Sequence, residues 1–234
     1  MKRPALVTLL VLFVCIPLTL VLGMQLSGRW YYLTSTLIAA EIMVPFFFSF
    51  EHRRPQAREL VLIAVISAIA AVSRVVVPIP NFKPIFGVVM IAGIAFGPQS
   101  GFLVGAISAF ASNFFTSQGP WTPWQMLAYG VAGLLAGALV KAGVLKKKPV
   151  HLAVFGFLAL PLCVGLLLDL SSVFTMLTEL SWAGVLSVYA YGLPVNISQG
   201  VSTAVTMLLF SRPLLNMLER IRVKYGVLDG GSDT

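Results

Sequence analysis

Apolar residues run along this chain in long blocks with short polar breaks between them. Residues 5–22, 33–50 and 59–77 form three such blocks, the second interrupted only by Glu41. From 84 to 140 there is no Asp, Glu, Lys, Arg or His. A membrane helix needs ~20 apolar residues, so that stretch is long enough to cross more than once. Gly97-Pro98 and Gly119-Pro120 are turn signals and divide it into helices at 86–96, 101–115 and 123–145. Blocks at 150–168 and 194–210 complete a set of eight. The short helix 86–96 is read as a crossing, with a re-entrant segment as its alternative. Residues 169–193 are mixed and read as a long structured loop or a helix extension. Neither a 20–50-residue repeat nor the inverted repeat of a secondary transporter is visible. The pattern predicts an all-α integral membrane protein.

Composition agrees. Hydrophobic residues make up 58% of the 234 and charged ones 10%, against ~25% in a soluble domain. That excludes a disordered chain and leaves too little polar cover for a soluble globule. The first block follows Lys2 and Arg3, is longer than a usual signal-peptide core and has no A-x-A site after it, so it reads as an uncleaved helix. Cys15 and Cys163 both sit in apolar runs, which argues against a disulfide framework or a zinc site.

Charge sets the expected orientation. With the N-terminus inside, the inner segments hold Lys2, Arg3, Arg53, Arg54, Arg58, Lys141, Lys146–Lys148, Arg212, Arg220, Arg222 and Lys224, 13 of the 16 basic residues. Only Arg29, Arg74 and Lys83 fall outside. Basic residues concentrate on the cytoplasmic face, so both termini are expected in the cytoplasm of a multi-pass protein of the bacterial cell membrane. The excess of base over acid is therefore read as orientation and membrane-lipid contact, not as nucleic-acid binding. The run EHRRPQARE at 51–59 reads as a linker. It divides an N-terminal transmembrane hairpin with its basic linker, 1–58, from a six-helix membrane core, 59–222, with a cytoplasmic tail at 223–234.

Several chemistries are absent. There is no G-x-x-x-x-G-K-[ST], so a P-loop ATPase is excluded, and no H-E-x-x-H. No catalytic residue, metal site or cofactor is expected. His52 and His151 fall at cytoplasmic helix ends, where solvation is the expectation. Glu41 and Asp169 are the acids within or near spans; Glu41 is expected to pair with a neighbouring basic group.

Two features carry candidate function. Ala64, Ala68 and Ala71 follow i, i+4, i+7 and line one helix face, suited to close packing inside the chain or to docking on a partner. Gly101, Gly105 and Ala109, with Gly133 and Gly137, repeat the spacing and are expected to pack internally. The outer loops, meanwhile, are rich in amides and aromatic rings. Arg74, Asn81, Phe82 and Lys83 belong to the first loop region; Asn113, Gln118, Trp121, Trp124, Gln125 and Tyr129 to the second; Tyr189, Tyr191, Asn196 and Gln199 to the third. Such groups stack on a flat ligand and satisfy its donors and acceptors. An interfacial aromatic belt explains the Trp and Tyr residues equally well, but it does not require amides. Gln125 and Tyr129, at i, i+4, are expected to share a face.

Three stretches, IAVISAIAAVSR (63–74), FGPQSGFLVGA (96–106) and YGLPVNISQG (191–200), resemble the S components of energy-coupling factor (ECF) transporters, the substrate-binding subunits of bacterial vitamin importers. The resemblance covers residues 59–222. It implies a six-helix S-component core in which Ala64 and Ala68 match the family's A-x-x-x-A docking signature. It also implies a vitamin captured outside the cell, a transmembrane coupling (T) subunit and two cytoplasmic ATPases as partners, and no enzymatic activity in this chain. QGPWTPWQ (118–125), with the extra hairpin, resembles a subgroup that includes cobalamin-specific S components, which makes cobalamin or a related corrinoid the expected vitamin. The alternatives are a stand-alone secondary transporter or channel for a small polar solute, and an intramembrane enzyme, which would need a reactive pair the sequence lacks.

Overall fold

The structure is a computed structural model that describes residues 3–25, 31–52, 56–177 and 180–225. Helices account for nearly all of them, and no strand occurs among the described residues. α1 (Arg3–Leu10) and α2 (Ile16–Gln25) form one rod through a π segment at Val11–Cys15, where the Ile16 N–H reaches the Val11 carbonyl. Pro17, the next residue, has no N–H to give the ordinary ladder, which favours such a widened turn. α3 (Tyr31–His52) completes the hairpin, and α4 (Ala57–Val76) opens the core. α5 (Ile85–Phe96), α6 (Pro98–Thr116) and α7 (Thr122–Lys141) follow. α8 (Pro149–Ala159) passes through a second π segment, Leu160–Val164, into α9 (Gly165–Met176), and Pro161 again sits at the widening. α10 (Trp182–Tyr225) is a single rod of 44 residues.

Side-chain contacts fix the direction of each helix. Glu59 meets Ser100 where α4 and α6 begin, and Arg74 meets Ser112 and Asn113 where they end, so the two run parallel. α5 and α7 both run the other way, with Phe86 against Tyr129 near their starts and Gly93 against Gly133 further on. Lys147 with Glu219, then Asp169 against Gly192, set α8–α9 antiparallel to α10. Thr36 bonds the Pro120 carbonyl at one end of α3 and Ser49 bonds Gln99 at the other. The described chain thus traverses one layer eight times and returns to the same end. That end gathers Arg58, Lys141, Lys146, Lys147, Lys148, Arg212, Arg220 and Lys224 and is called the basic end below; the opposite is the mouth end.

Five helices are long and apolar enough to cross a membrane by themselves, among them Ala57–Val76 and Pro149–Met176. α5 is not: its 12 residues rise ~18 Å against a hydrocarbon core of ~30 Å. Yet it carries the chain from the mouth end towards the basic end, with Phe86 against Tyr129 near its start and Gly93 against Gly101 at the start of α6. It is apolar all round, and it is buried all round: every residue except Val88 is inaccessible between α4, α6, α7 and α10.

Glycine lets α5, α6 and α7 meet backbone to backbone. A β-carbon on Gly93 would lie 2.0 Å from the Gly133 carbonyl oxygen, one on Gly133 2.3 Å from that of Gly101, and one on Gly105 2.2 Å from that of Tyr129. The glycine spacing therefore serves internal packing, where close approach replaces a hydrophobic driving force that lipid cannot provide.

Of the two readings of residues 169–193, the helix extension is what the described residues show: 169–176 complete α9, and 182–193 are the first turns of α10, which continues past residue 210 and buries Leu215 and Leu218. One expectation changes. Among the described residues Glu41 meets no base. The Thr19 hydroxyl on α2 donates to its Oε1, and its Oε2 is buried without a partner. The hairpin rests on α6, α7 and α9 through Phe46, stacked on Phe102 at 4.2 Å, and through Ala39 and Met43 beside Trp124.

Candidate substrate-binding site

Five helices and one loop meet at the mouth end around a cavity of about 490 Å³. The last turn of α4 supplies Arg74, and the following loop supplies Asn81 and Lys83. Asn81 holds a positive φ of 58°, a conformation Asn tolerates better than most residues, which turns the loop back towards α5. Trp121, Gln125 and Tyr129 come from the start of α7, with Thr116 at the end of α6. Gln125 and Tyr129 do share a face, as their spacing predicts. The far wall is α9, which presents Leu168, Ser171, Ser172, Thr175 and Met176 at helical spacing, and Gln199 closes the site from α10.

Arg74 is held in place by neutral partners. Its Nη1 donates to Ser112 Oγ at 2.7 Å and Asn113 Oδ1 at 2.8 Å, and its guanidinium carbon lies 5.5 Å from the centre of the Tyr129 ring. Asn113 in turn donates to Thr122 Oγ1, and the Thr122 hydroxyl donates to Gln118 Oε1 at 3.0 Å. Lys83 Nζ donates to the Val77 carbonyl at 2.7 Å, which ties the loop to its own start. Among the described residues no carboxylate lines the cavity. Two side-chain oxygens at this site, Gln125 Oε1 and Gln199 Oε1, are buried with no hydrogen-bond partner. A buried acceptor left unpaired costs about 1–3 kcal/mol, so either amide gains by turning its oxygen towards a ligand donor.

The cavity gathers seven of the residues singled out from sequence: Arg74, Asn81, Lys83, Trp121, Gln125, Tyr129 and Gln199. The other seven lie elsewhere. Asn113 is buried behind Arg74, and Gln118 is exposed and spent on Thr122 and the Phe110 carbonyl. Trp124 packs beside Ala39 and Met43 of the hairpin and stacks on Phe174 of α9 at 6.0 Å. Asn196 donates to Asp169 Oδ2 at 2.7 Å, in a space that Gly165 and Gly192 leave open. Tyr189 donates to the Leu166 carbonyl, Tyr191 is almost fully exposed, and Phe82 is half-buried outside the lining. The α9 wall was missed in the sequence. Its signal is Ser171, Ser172 and Thr175, a polar stripe in an otherwise apolar helix.

On α4, Ala64 and Ala68 sit on the exposed outer face with Leu60, Val61, Val65, Ile69 and Val72. Ala71 does not share it. It is 5% exposed and falls on the side of α4 that buries Ile63, Ile66, Ser67 and Ala70.

A family model described as ECF-type riboflavin transporter, S component, matches residues 55–216, more than two-thirds of the chain. The chain belongs to this family of S components. It is a subunit of a transporter and not an enzyme, and its family works with a T subunit and ATPase partners on a vitamin substrate. The matched region leaves out the hairpin α1–α3. Neither the curated proteins nor the solved structures gave a significant match to this S component.

Proposed function

We propose that this S component captures a flavin-class vitamin, riboflavin or a close derivative, in the mouth-end cavity. The observation that carries the reading is the pair of orphaned acceptors, Gln125 Oε1 and Gln199 Oε1, in a cavity that also holds the rings of Trp121 and Tyr129. A flavin offers a flat ring to stack, an imide N–H for one acceptor and ribityl hydroxyls for the other. The family description favours the same ligand. Size argues against the corrinoid expected from QGPWTPWQ. About 490 Å³ lies low in the ~300–1,000 Å³ span of drug-sized pockets, and a corrin with its side chains and nucleotide loop has several times the bulk of a flavin.

The charge asymmetry supports a basic end in the cytoplasm and a cavity open to the outside. The small-residue face of α4 at Ala64 and Ala68 suits docking on the T subunit, and two cytoplasmic ATPases supply the energy. The hairpin 1–58 braces the far side of α6 and α7, which leaves the α4 face uncovered. The test is the small molecule that copurifies with the detergent-solubilised chain. A flavin absorbance spectrum, with the mass of riboflavin or a derivative after denaturation, is the expected result. A corrinoid spectrum would overturn the flavin assignment.

A further inference from the structure

We infer that the ligand of this cavity carries a phosphate monoester, with Arg74 and Lys83 as its counter-charges. The inference rests on the flavin-class reading and narrows it to a phosphorylated flavin. Arg74 and Lys83 come from different elements, a helix end and a loop, and line the same cavity. Both are half-buried. Each is bonded only to neutral groups: a hydroxyl and an amide for Arg74, a backbone carbonyl for Lys83. Among the described residues neither has a carboxylate within ion-pair reach, and the lining contains no acid.

Half-buried charge is normally compensated, because taking it out of water is costly. Asp169 is adjacent in sequence to the lining residue Leu168 but accepts from Asn196 on α10 and is not among the lining residues. The described lining is therefore a concave surface of one sign, which concentrates anions. Its two positive charges match a phosphate monoester, which carries about −1.5 to −2 at neutral pH, better than a single carboxylate. A guanidinium also offers a planar fork for phosphate oxygens. Arg74 uses only Nη1 within the protein, which leaves its remaining N–H groups for the ligand. Neutral riboflavin would leave both cations uncompensated.

The experiment titrates riboflavin and flavin mononucleotide separately into the detergent-solubilised full chain, following flavin fluorescence, with wild type, Lys83→Gln and Arg74→Gln. The ratio of the two affinities is the readout, because damage to the fold weakens both ligands together and cancels. Wild type should bind the phosphorylated flavin about tenfold more tightly or better at low salt, the size of one charge-assisted contact. The ratio should fall towards one in each variant and shrink as salt rises. Riboflavin binding as tightly as its phosphate in wild type overturns the inference and leaves the flavin reading standing. A preference for the phosphate that both variants retain overturns it too, since the cations would not be its source. Binding of neither flavin ends both readings.

Discussion

Arg74 donates from Nη1 to the side-chain oxygen of Asn113 at 2.8 Å, and Asn113 is itself 1% exposed. Asn113 thus acts behind the cavity wall, through the cation it orients. Asn113→Ala should cost about tenfold in ligand affinity, equivalent to ~1.4 kcal/mol, by freeing Arg74 and leaving Thr122 without its donor. Gln118→Ala, at an exposed site of the same network, should cost much less. Fluorescence titration of both variants checks the order.

The seam between Gly93 and Gly133 sets the spacing of the three central helices. Gly133→Ala would place a methyl 2.3 Å from the Gly101 carbonyl oxygen, which only backbone movement can relieve. The expected loss is ~1–3 kcal/mol or more, read as a lower midpoint of thermal unfolding in detergent. Gly143→Ala is the contrast. Nothing lies within 4 Å of that position, and only its positive φ of 75° resists a side chain, so the midpoint should fall less.

Ala68 is exposed on α4 and Ala71 is buried three residues later. Ala68→Trp should abolish copurification with the T subunit and uptake into cells while the isolated chain still binds its vitamin. Ala71→Trp should instead destabilise the fold and weaken vitamin binding as well. Pull-down and binding measured on the same preparations separate the two. Lost vitamin binding in Ala68→Trp would mean that this face packs within the chain.

Orientation is open to chemical labelling. With Cys15 and Cys163 replaced, Gln118→Cys at the mouth end should react with a membrane-impermeant thiol reagent on intact cells. Lys146→Cys at the basic end should react only after permeabilisation. The reverse pattern would turn the molecule over and place the cavity on the cytoplasmic side.

The sequence carried most of the architecture. Eight passes were legible because apolar blocks and turn signals are local, and the basic residues already marked the end to which the chain returns. The site was half legible. Polar residues in outer loops pointed to the right end, but a side chain's direction depends on helix phase. Trp124 and Gln125 are neighbours, yet one faces the hairpin and the other the cavity. Asn196 was claimed by Asp169, a partner 27 residues away that no local pattern reveals. The α9 wall went unseen because Ser171, Ser172 and Thr175 dilute the hydropathy that marks a span, which left a loop and a helix extension equally open for residues 169–193. Their hydroxyls instead satisfy the helix itself: Ser172 bonds the Leu168 carbonyl and Thr175 that of Ser171.

The most direct test plugs the cavity. Thr175 is an exposed residue of the α9 wall and lines the same cavity as Arg74 and Tyr129. Thr175→Trp should fill it while leaving the glycine seam untouched. Flavin titration of the purified chain, with Ala68→Trp as a control of equal bulk at the outer face, measures the effect. The account predicts saturable flavin binding by wild type and by Ala68→Trp, and at least a hundredfold loss, ~2.7 kcal/mol or more, in Thr175→Trp. Flavin binding by Thr175→Trp with wild-type affinity would show that the vitamin sits somewhere other than this cavity.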